Sequence, residues 1–350
     1  MNIFKKIFIK ILSLILFALI FISCSNNNKK VLNETPLTKT EIFMGTAIKI
    51  SIYDNKNEDI LNKAFDKIKE IENLVSLNRS GTELDNLNKL AGKKPLKVSD
   101  STFNIIKTGL KYSQLSNGDF DITIGPLVKL WSIGLPEAKV PTKNEIKNIL
   151  PLINYKEVDV NDYNKTIFLK KPNMIIDLGA IAKGYIADII ANFFKENNIN
   201  SAIIDLGGNL YVLGLKPSGE KWKIGIQNPF SERGNIIGNI SETNKSIVTS
   251  GIYERFIEKD NIKYHHILNP STGYPYENNI AGITIVSDKS LDGDALSTTV
   301  FSKGLEEGLS LIESLENTEA IFITNDKKVY ISSGLKNNFT ITNSEFQLSN

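Results

Sequence analysis

Asp177-Leu-Gly-Ala-Ile-Ala-Lys183-Gly-Tyr-Ile-Ala-Asp188 is the stretch on which the reading of this chain turns. Ile175 and Ile176 lead in as the end of a strand, Gly179 makes the turn, and the residues after it can continue only as a helix. A strand that turns through glycine into a helix aims backbone N–H groups, and the positive end of the helix dipole, at whatever sits in the mouth. Lys183, one turn inside, adds a full positive charge at the same place. The stretch therefore predicts a strand–turn–helix unit with a site for an anionic, phosphorylated ligand. A glycine between strand and helix is often only a turn, so other signals have to join it.

Outward from this unit the chain alternates between two periods. Residues 46–53 place Ile48, Ile50 and Ile52 on one face of a strand. Residues 57–75 place Ile60, Ala64, Ile68, Ile71 and Val75 on one side of a helix. Asp100 and Ser101 can cap a second helix carrying Phe103, Ile106 and Leu110. A loop with Gly118, Gly125 and Pro126 comes next, then a helix at 143–149 and a strand at 167–169. Beyond the central unit, 201–205, 223–227, 246–249, 264–268, 282–286, 320–324 and 328–331 read as strands, and 294–313 as a helix. No internal repeat is present. This order predicts a mixed α/β (α+β) fold with several antiparallel pairs rather than a regular βαβ series.

The composition is that of a globular protein: 350 residues, 41% hydrophobic and 23% charged. Residues 1–23 hold Lys5, Lys6 and Lys10 and no acid, so the formal charge of +2 becomes −1 without them. Such a balance gives no reason to expect nucleic acid as a partner. The same segment reads as a secretory signal. Its 13 residues from Ile11 to Ser23 would make a helix of about 20 Å, short of the hydrocarbon core of about 30 Å. Phe21-Ile-Ser-Cys24 resembles the cleavage site of bacterial lipoproteins, in which the cysteine becomes the lipidated first residue; the alternative is a plain signal peptide. Cys24 is the only cysteine, so no internal disulfide exists. The predicted organisation is a signal peptide at 1–23, a polar tether at 24–40, one folded domain of interlocked subdomains at 41–335 and a tail at 336–350.

Asp294-Ala-Leu-Ser-Thr298 is the second chemical signal. Four residues apart on a helix, its carboxylate and hydroxyl share a face. Both are hard oxygen ligands of the kind Mg²⁺ accepts beside phosphate and water. An Asp near a helix start caps more often than it ligates, so the pattern alone leaves both roles open. Tyr264-His-His-Ile-Leu-Asn-Pro-Ser-Thr-Gly-Tyr-Pro275 holds both histidines of the chain. Neighbours on a strand face opposite ways, which predicts one packed histidine and one free to move a proton near pH 7. Thr249-Ser-Gly251 offers hydroxyls and bare backbone to a phosphate, or is simply a turn. Gly118-Asp-Phe-Asp121 sets two acids around an aromatic, and Gly207-Gly208-Asn209 makes a tight bend after a strand.

Together these stretches resemble the ApbE family, flavin transferases that move FMN from FAD onto a threonine of a target protein. The resemblance runs in the family's order from Met44-Gly-Thr46 to Asp294–Thr298. It implies an ApbE-like fold with largely antiparallel sheets. By the same resemblance, Met44, Asn78, Asp119, Phe120, Asp121, Asp177, Lys183 and Leu268 would line the FAD site. Mg²⁺ would be held by the Ala180 carbonyl, the Asp294 carboxylate and the Thr298 hydroxyl. Lys183 would add positive field at the pyrophosphate, and His266 is the candidate base for the acceptor hydroxyl. Three positions depart from the commoner pattern. Asn78 replaces an aromatic, as it does in members that hydrolyse FAD to FMN and AMP. Ile252 and Asn269 each replace an acid.

The resemblance implies as partners FAD and a flavoprotein subunit of a membrane redox complex, reached from the extracytoplasmic face of a bacterial membrane by a lipid-anchored protein. Two other readings stand beside Mg²⁺-dependent transfer. One is an FAD pyrophosphatase in which water replaces the threonine. The other is a lipoprotein that binds FAD without chemistry, which the Asp294/Thr298 pair argues against, since binding alone needs no octahedral metal at a phosphate.

Overall fold

The computed structural model describes residues 35–349; the signal segment and Cys24 lie outside them. The chain opens with the hairpin β1 (Leu37–Phe43) and β2 (Thr46–Ile52). Its two-residue loop, Met44 at φ 51° and Gly45 at φ 71° between the paired Phe43 and Thr46, has the doubly positive geometry that suits the twist of a hairpin. Then come α1 (Glu58–Val75), α2 (Glu83–Lys89), β3 (Leu96–Lys97) and α3 (Asp100–Leu115). The Asn57, Thr82 and Ser99 side chains cap the three helices by accepting backbone N–H bonds. Ser99, not Asp100 or Ser101, is thus the cap of α3. The middle of the chain supplies α4 (Gly125–Trp131), α5 (Lys143–Ile149), β4 (Val158–Asn161), β5 (Thr166–Leu169) and α6 (Ala182–Glu196).

The remainder is mostly strand: β6 (Ala202–Asp205), β7 (Asn209–Leu213), β8 (Trp222–Gln227), β9 (Ile236–Glu242), β10 (Lys245–Gly251), β11 (Phe256–Lys259), β12 (Ile262–His265) and β13 (Ile280–Ser287). After the long helix α7 (Ser290–Glu313), which breaks at Gly304, come β14 (Thr318–Thr324), β15 (Lys328–Ile331), β16 (Thr340–Ile341) and β17 (Gln347–Leu348).

Nine strands form one sheet in the order β1-β2-β6-β7-β10-β13-β14-β15-β17, every pair antiparallel except β15–β17. Side chains alternate across it. On β14, Ala320 and Phe322 join the core under the helices, while Ile321 and Ile323 join a second core with Trp222, Ile226 and Ile240 of the small sheet β16-β9-β8. Every residue of β13 is buried because both faces of the sheet are covered there. A third, small core of Leu127, Trp131, Ile146 and Leu268 packs beside the first. The mixed α/β architecture with largely antiparallel sheets is the one the sequence predicts.

Several local expectations are corrected. Ile175 and Ile176 are not a strand: Ile175 makes one isolated bridge to Ile124, and the Asn88 amide brackets Ile176 by accepting its N–H (2.8 Å) and donating to its carbonyl (3.1 Å). A side chain here takes the place of a neighbouring strand. Lys183 is the second residue of α6, not a turn inside it. Thr249, Ser250 and Gly251 lie in β10, with the Thr249 hydroxyl bonded to Thr284 and the Ser250 hydroxyl to Ser297, so no phosphate-cradling loop exists there. Gly125 and Pro126 begin α4 rather than continuing a loop. The strand read at 264–268 ends at His265, and Leu268 makes only an isolated bridge to Pro275. Leu37–Thr40, within the stretch read as tether, belongs to β1, because each of its residues pairs in register with β2. Residues 336–350, read as a tail, supply β16, β17 and the buried Phe339 and Phe346 of the second core.

Candidate active site

Two adjoining cavities lie where α4, α6, α7 and the turn after β12 meet. The first, about 200 Å³, is lined by Asp119, Phe120, Asp121, Ala180, His266, Leu268, Asp294 and Thr298 among others. The second, about 880 Å³, is lined by Met44, Asn78 and residues of the loop after α4. Val128, Ile133, Asp177, Gly179, Lys183 and Arg255 border both and form the neck between them. The first cavity alone is smaller than the roughly 300–1,000 Å³ of a drug-sized site, and the second falls within that range. Every residue assigned to ligand or metal from the sequence thus falls on one continuous cleft, divided into two lobes at Lys183.

α6 begins without a side-chain cap, so its first-turn N–H groups need other partners. The Ala182 N–H bonds back to the Leu178 carbonyl, and the Gly184 N–H donates to Asp294 Oδ2 at 2.9 Å. The anion at this helix mouth is therefore in part the protein's own carboxylate. Asp294 sits one turn inside α7, which starts at Ser290, and so does not cap its own helix. It is 4% exposed, and Lys183 Nζ stands 4.0 Å from its other oxygen. One turn on, Thr298 faces the same cavity. Its neighbours Ser297 and Thr299 bond back to the carbonyls of Asp294 and Ala295, the usual fate of a helix hydroxyl. The Thr298 hydroxyl makes no hydrogen bond among the described residues.

A buried carboxylate, an unengaged hydroxyl and the Ala180 segment on one cavity wall are a fitting donor set for a hard cation. Among the described residues no group of three or more His, Cys, Asp or Glu side chains could hold a metal. An ion here would rest on these oxygens and on its ligand's.

The other predicted residues divide by what their side chains already do. Burial pushes the Asp177 carboxyl above the usual range, while its Oδ1 accepts the Gly179 N–H (2.7 Å) and so fixes the turn. Asp121 is also raised by burial, and its oxygens are engaged by the Thr123 N–H and hydroxyl and the Tyr155 N–H. That carboxylate holds the loop. Asp119 pairs with Lys303 of α7 at 3.3 Å, and its carbonyl accepts from the Tyr276 hydroxyl. Asn78 is exposed and makes no hydrogen bond among the described residues.

The two histidines do separate, although only His265 lies in β12. His265 is packed against Phe301, with both ring nitrogens bonded, to the Tyr276 carbonyl and to the Ile267 N–H. His266 lines the first cavity, and its Nδ1 lies 3.2 Å from the Arg255 carbonyl. A carbonyl can only accept, so Nδ1 carries the proton and Nε2 keeps the lone pair. Burial and the neighbouring Arg255 push its pKa down to about 4. Asn269 serves the backbone around it. Its Oδ1 accepts from Ser271 N, Ser271 Oγ and Thr272 N, which builds the turn before Pro275.

Two residues of the cleft carry no role in the sequence reading. Arg255 borders both cavities, four residues after Gly251 in the sequence. Glu72, buried in the last turn of α1, accepts the Met44 N–H at 2.7 Å and pairs with Arg79 at 3.0 Å. It thereby holds the left-handed Met44 and the loop of Asn78 against the second cavity.

Fold and cleft together define an enzyme of the mixed α/β class, with its site at the junction of two helices and a strand turn. A family model described as the ApbE family matches residues 44–322, and the chain belongs to that family. The FAD:protein FMN transferase of Klebsiella pneumoniae (strain 342) is 36% identical over 307 residues, covering 88% of this chain and 95% of that protein. The protein of the same name from Treponema pallidum (strain Nichols) is 32% identical over 328 residues, covering 89% and 91%. Among solved structures, the ApbE protein of Thermotoga maritima superposes with a TM-score of 0.79 at 27% identity, covering 86% of this chain and 98% of that one. The flavin transferase ApbE of Vibrio cholerae superposes with a TM-score of 0.78 at 26% identity, covering 87% and 99%.

Proposed function

We propose that this chain is a Mg²⁺-dependent FAD:protein FMN transferase whose acceptor is a threonine of another protein. The observation that carries the reading is Lys183 at the neck between two lobes, with the buried Asp294 carboxylate 4.0 Å from its Nζ and the unengaged Thr298 hydroxyl on the wall of the first lobe. A dinucleotide has two halves joined by a diphosphate, and such a cleft suits that shape. The names of the curated relatives support the same reaction.

In the reaction the threonine oxygen bonds to the FMN phosphorus, and the pyrophosphate P–O bond breaks. AMP leaves with the electron pair, and the hydroxyl proton passes to a base. His266 Nε2 is the base candidate, since that nitrogen is unprotonated at neutral pH. Lys183 holds positive charge where negative charge grows on the phosphate. Asp294, Thr298 and the Ala180 carbonyl would hold Mg²⁺, which when bound neutralises the pyrophosphate. The acceptor is a flavoprotein subunit of a membrane redox complex, met at the extracytoplasmic face by a protein anchored through Cys24.

Asn78 favours a second reading, hydrolysis of FAD to FMN and AMP. It is exposed on the wall of the second lobe, where an aromatic would stack on a bound nucleotide and slow its exit. One experiment separates the two: mature protein with FAD and Mg²⁺, with and without a flavoprotein acceptor bearing a threonine site. AMP release coupled to fluorescent flavin on the acceptor in a denaturing gel supports transfer. AMP release at the same rate without acceptor, and no labelled protein, replaces it with hydrolysis. No AMP in either arm overturns both.

A further inference from the structure

Asp188 sits at the end of the motif that opens α6. Its two carboxylate oxygens each accept one backbone N–H, from Ser290 (2.8 Å) and Leu291 (2.9 Å), the first two residues of α7. The residue before α7, Lys289, makes no side-chain cap bond, so the cap of this helix comes from another helix. One turn earlier on α6, Gly184 meets the same point. A Cβ at 184 would lie 2.2 Å from the Ser290 carbonyl oxygen, so the helices touch backbone to backbone. The N–H of the same Gly184 bonds Asp294 Oδ2. Three fastenings therefore run along one line, from Asp188 through Gly184 to Asp294.

The cation donors are split across this line. The Ala180 carbonyl lies in the turn that leads into α6, and Asp294 and Thr298 lie on α7. Their separation is set by where α7 starts relative to α6, and a hard cation such as Mg²⁺ tolerates little error in it.

We propose that Asp188 is a positioning residue for the cation site, clamping the start of α7 onto α6 so that the two halves of the donor set meet. The inference rests on Asp294 and Thr298 being cation ligands. Only a carboxylate presents an oxygen to each N–H; the amide of an asparagine would turn its own NH₂ toward one of them. The ionised form also suits a helix N-terminus. It is nonetheless held at a cost: burial raises the Asp188 pKa to about 6, against the two N–H bonds that lower it. The charged and titratable groups facing it are Asp292 and Lys289 from the α7 end and Tyr211 from β7. A folded pKa above the unfolded one means that stability falls as pH rises from about 4 through 6. A group kept for stability alone gains nothing from that charge at neutral pH.

The test uses mature wild type, Asp188→Asn, Asp188→Glu and Asp294→Ala, without FAD. Mg²⁺ binding is followed by calorimetry and Mn²⁺ binding by electron paramagnetic resonance, with a thermal melt of each at pH 7.5. Asp188→Asn is expected to bind either cation about 10- to 100-fold more weakly, with a melting point equal to or above wild type. In a separate assay with FAD added, its turnover should recover toward wild type as Mg²⁺ is raised. Asp188→Glu, which keeps the charge but moves the oxygens outward by one methylene, should weaken binding in the same direction, and carries the test should the amide fail to fold. Folded variants at 188 that bind the cations like wild type overturn the proposal. If Asp294→Ala also binds like wild type, the site reading itself falls; if only that variant loses binding, the site stands and the role of Asp188 does not.

Discussion

His266 shows how one side chain is prepared by what surrounds it. The Arg255 carbonyl fixes its tautomer, and burial with the Arg255 charge keeps the ring neutral down to a pKa of about 4. That folded pKa lies below the ordinary value of 6.5, so the unfolded chain binds the extra proton between the two. The stability contributed is present above pH 6.5 and is lost as pH falls toward 4. His266→Gln should flatten that limb of the stability curve in urea titrations from about pH 4 to 7. It should also lower transfer about 100-fold or more while FAD affinity, read by flavin quenching, stays put; full transfer in the variant removes His266 from the base role. Asn78→Tyr tests the other lobe. A stacked ring is worth about 1 kcal/mol, so FAD should bind several-fold tighter and release AMP more slowly without acceptor; no change in either places residue 78 off the nucleotide. Asp177, Lys183, Asp294 and Thr298 are legible in the sequence because their chemistry sits in compact local motifs. Glu72 is not, since its partners Met44 and Arg79 lie on either side of it in sequence and only the fold joins them.

Among the elements, the crossing of α6 on α7 is the most demanding contact. Gly184 in a helix interior costs about 1 kcal/mol in propensity against alanine, which would make Gly184→Ala stabilising on an open surface. Here the new methyl meets backbone rather than a movable side chain, and overpacking of that kind costs about 1–3 kcal/mol or more. The clash decides the sign. Gly184→Ala should lower the urea midpoint of unfolding, and a midpoint equal to wild type would mean that the helices do not touch there. The longer elements are readable because their apolar period repeats: α1 and α3 carry the buried faces the spacing predicts. α2 and β9 escape such a reading. α2 has only seven residues, too few for a period, and β9 is buried at positions that break strict alternation because the sheet and the second core both press on it. The false strand at Ile175–Ile176 has the opposite cause: two apolar residues look like a strand whether a strand or an Asn88 amide satisfies their backbone.

For the whole molecule, the anchor is the decisive expectation. Among residues 35–349 no helix is long and apolar enough to cross a membrane, and attachment is proposed to depend on Cys24 alone. Cys24→Ser should abolish labelling by radioactive palmitate and move the protein out of the membrane fraction or leave it unprocessed. Labelling as in wild type overturns the lipoprotein reading. The sequence conveys the mixed α/β class but not the sheet order, because pairs such as β2–β6 and β7–β10 join strands far apart in the chain. That order has a mechanical consequence. The first strand, β1, forms one edge of the large sheet and the last, β17, the other. A pull between the two ends of the chain therefore runs across the strands, not along them. Under such a load the ladders open one hydrogen bond at a time, like a zipper, where a pull along the strands would share the force over a whole ladder. Held at its N-terminal side and drawn from its C-terminal side, the large sheet yields from its edges inward, and β17, joined by two residue pairs, is the first strand to part.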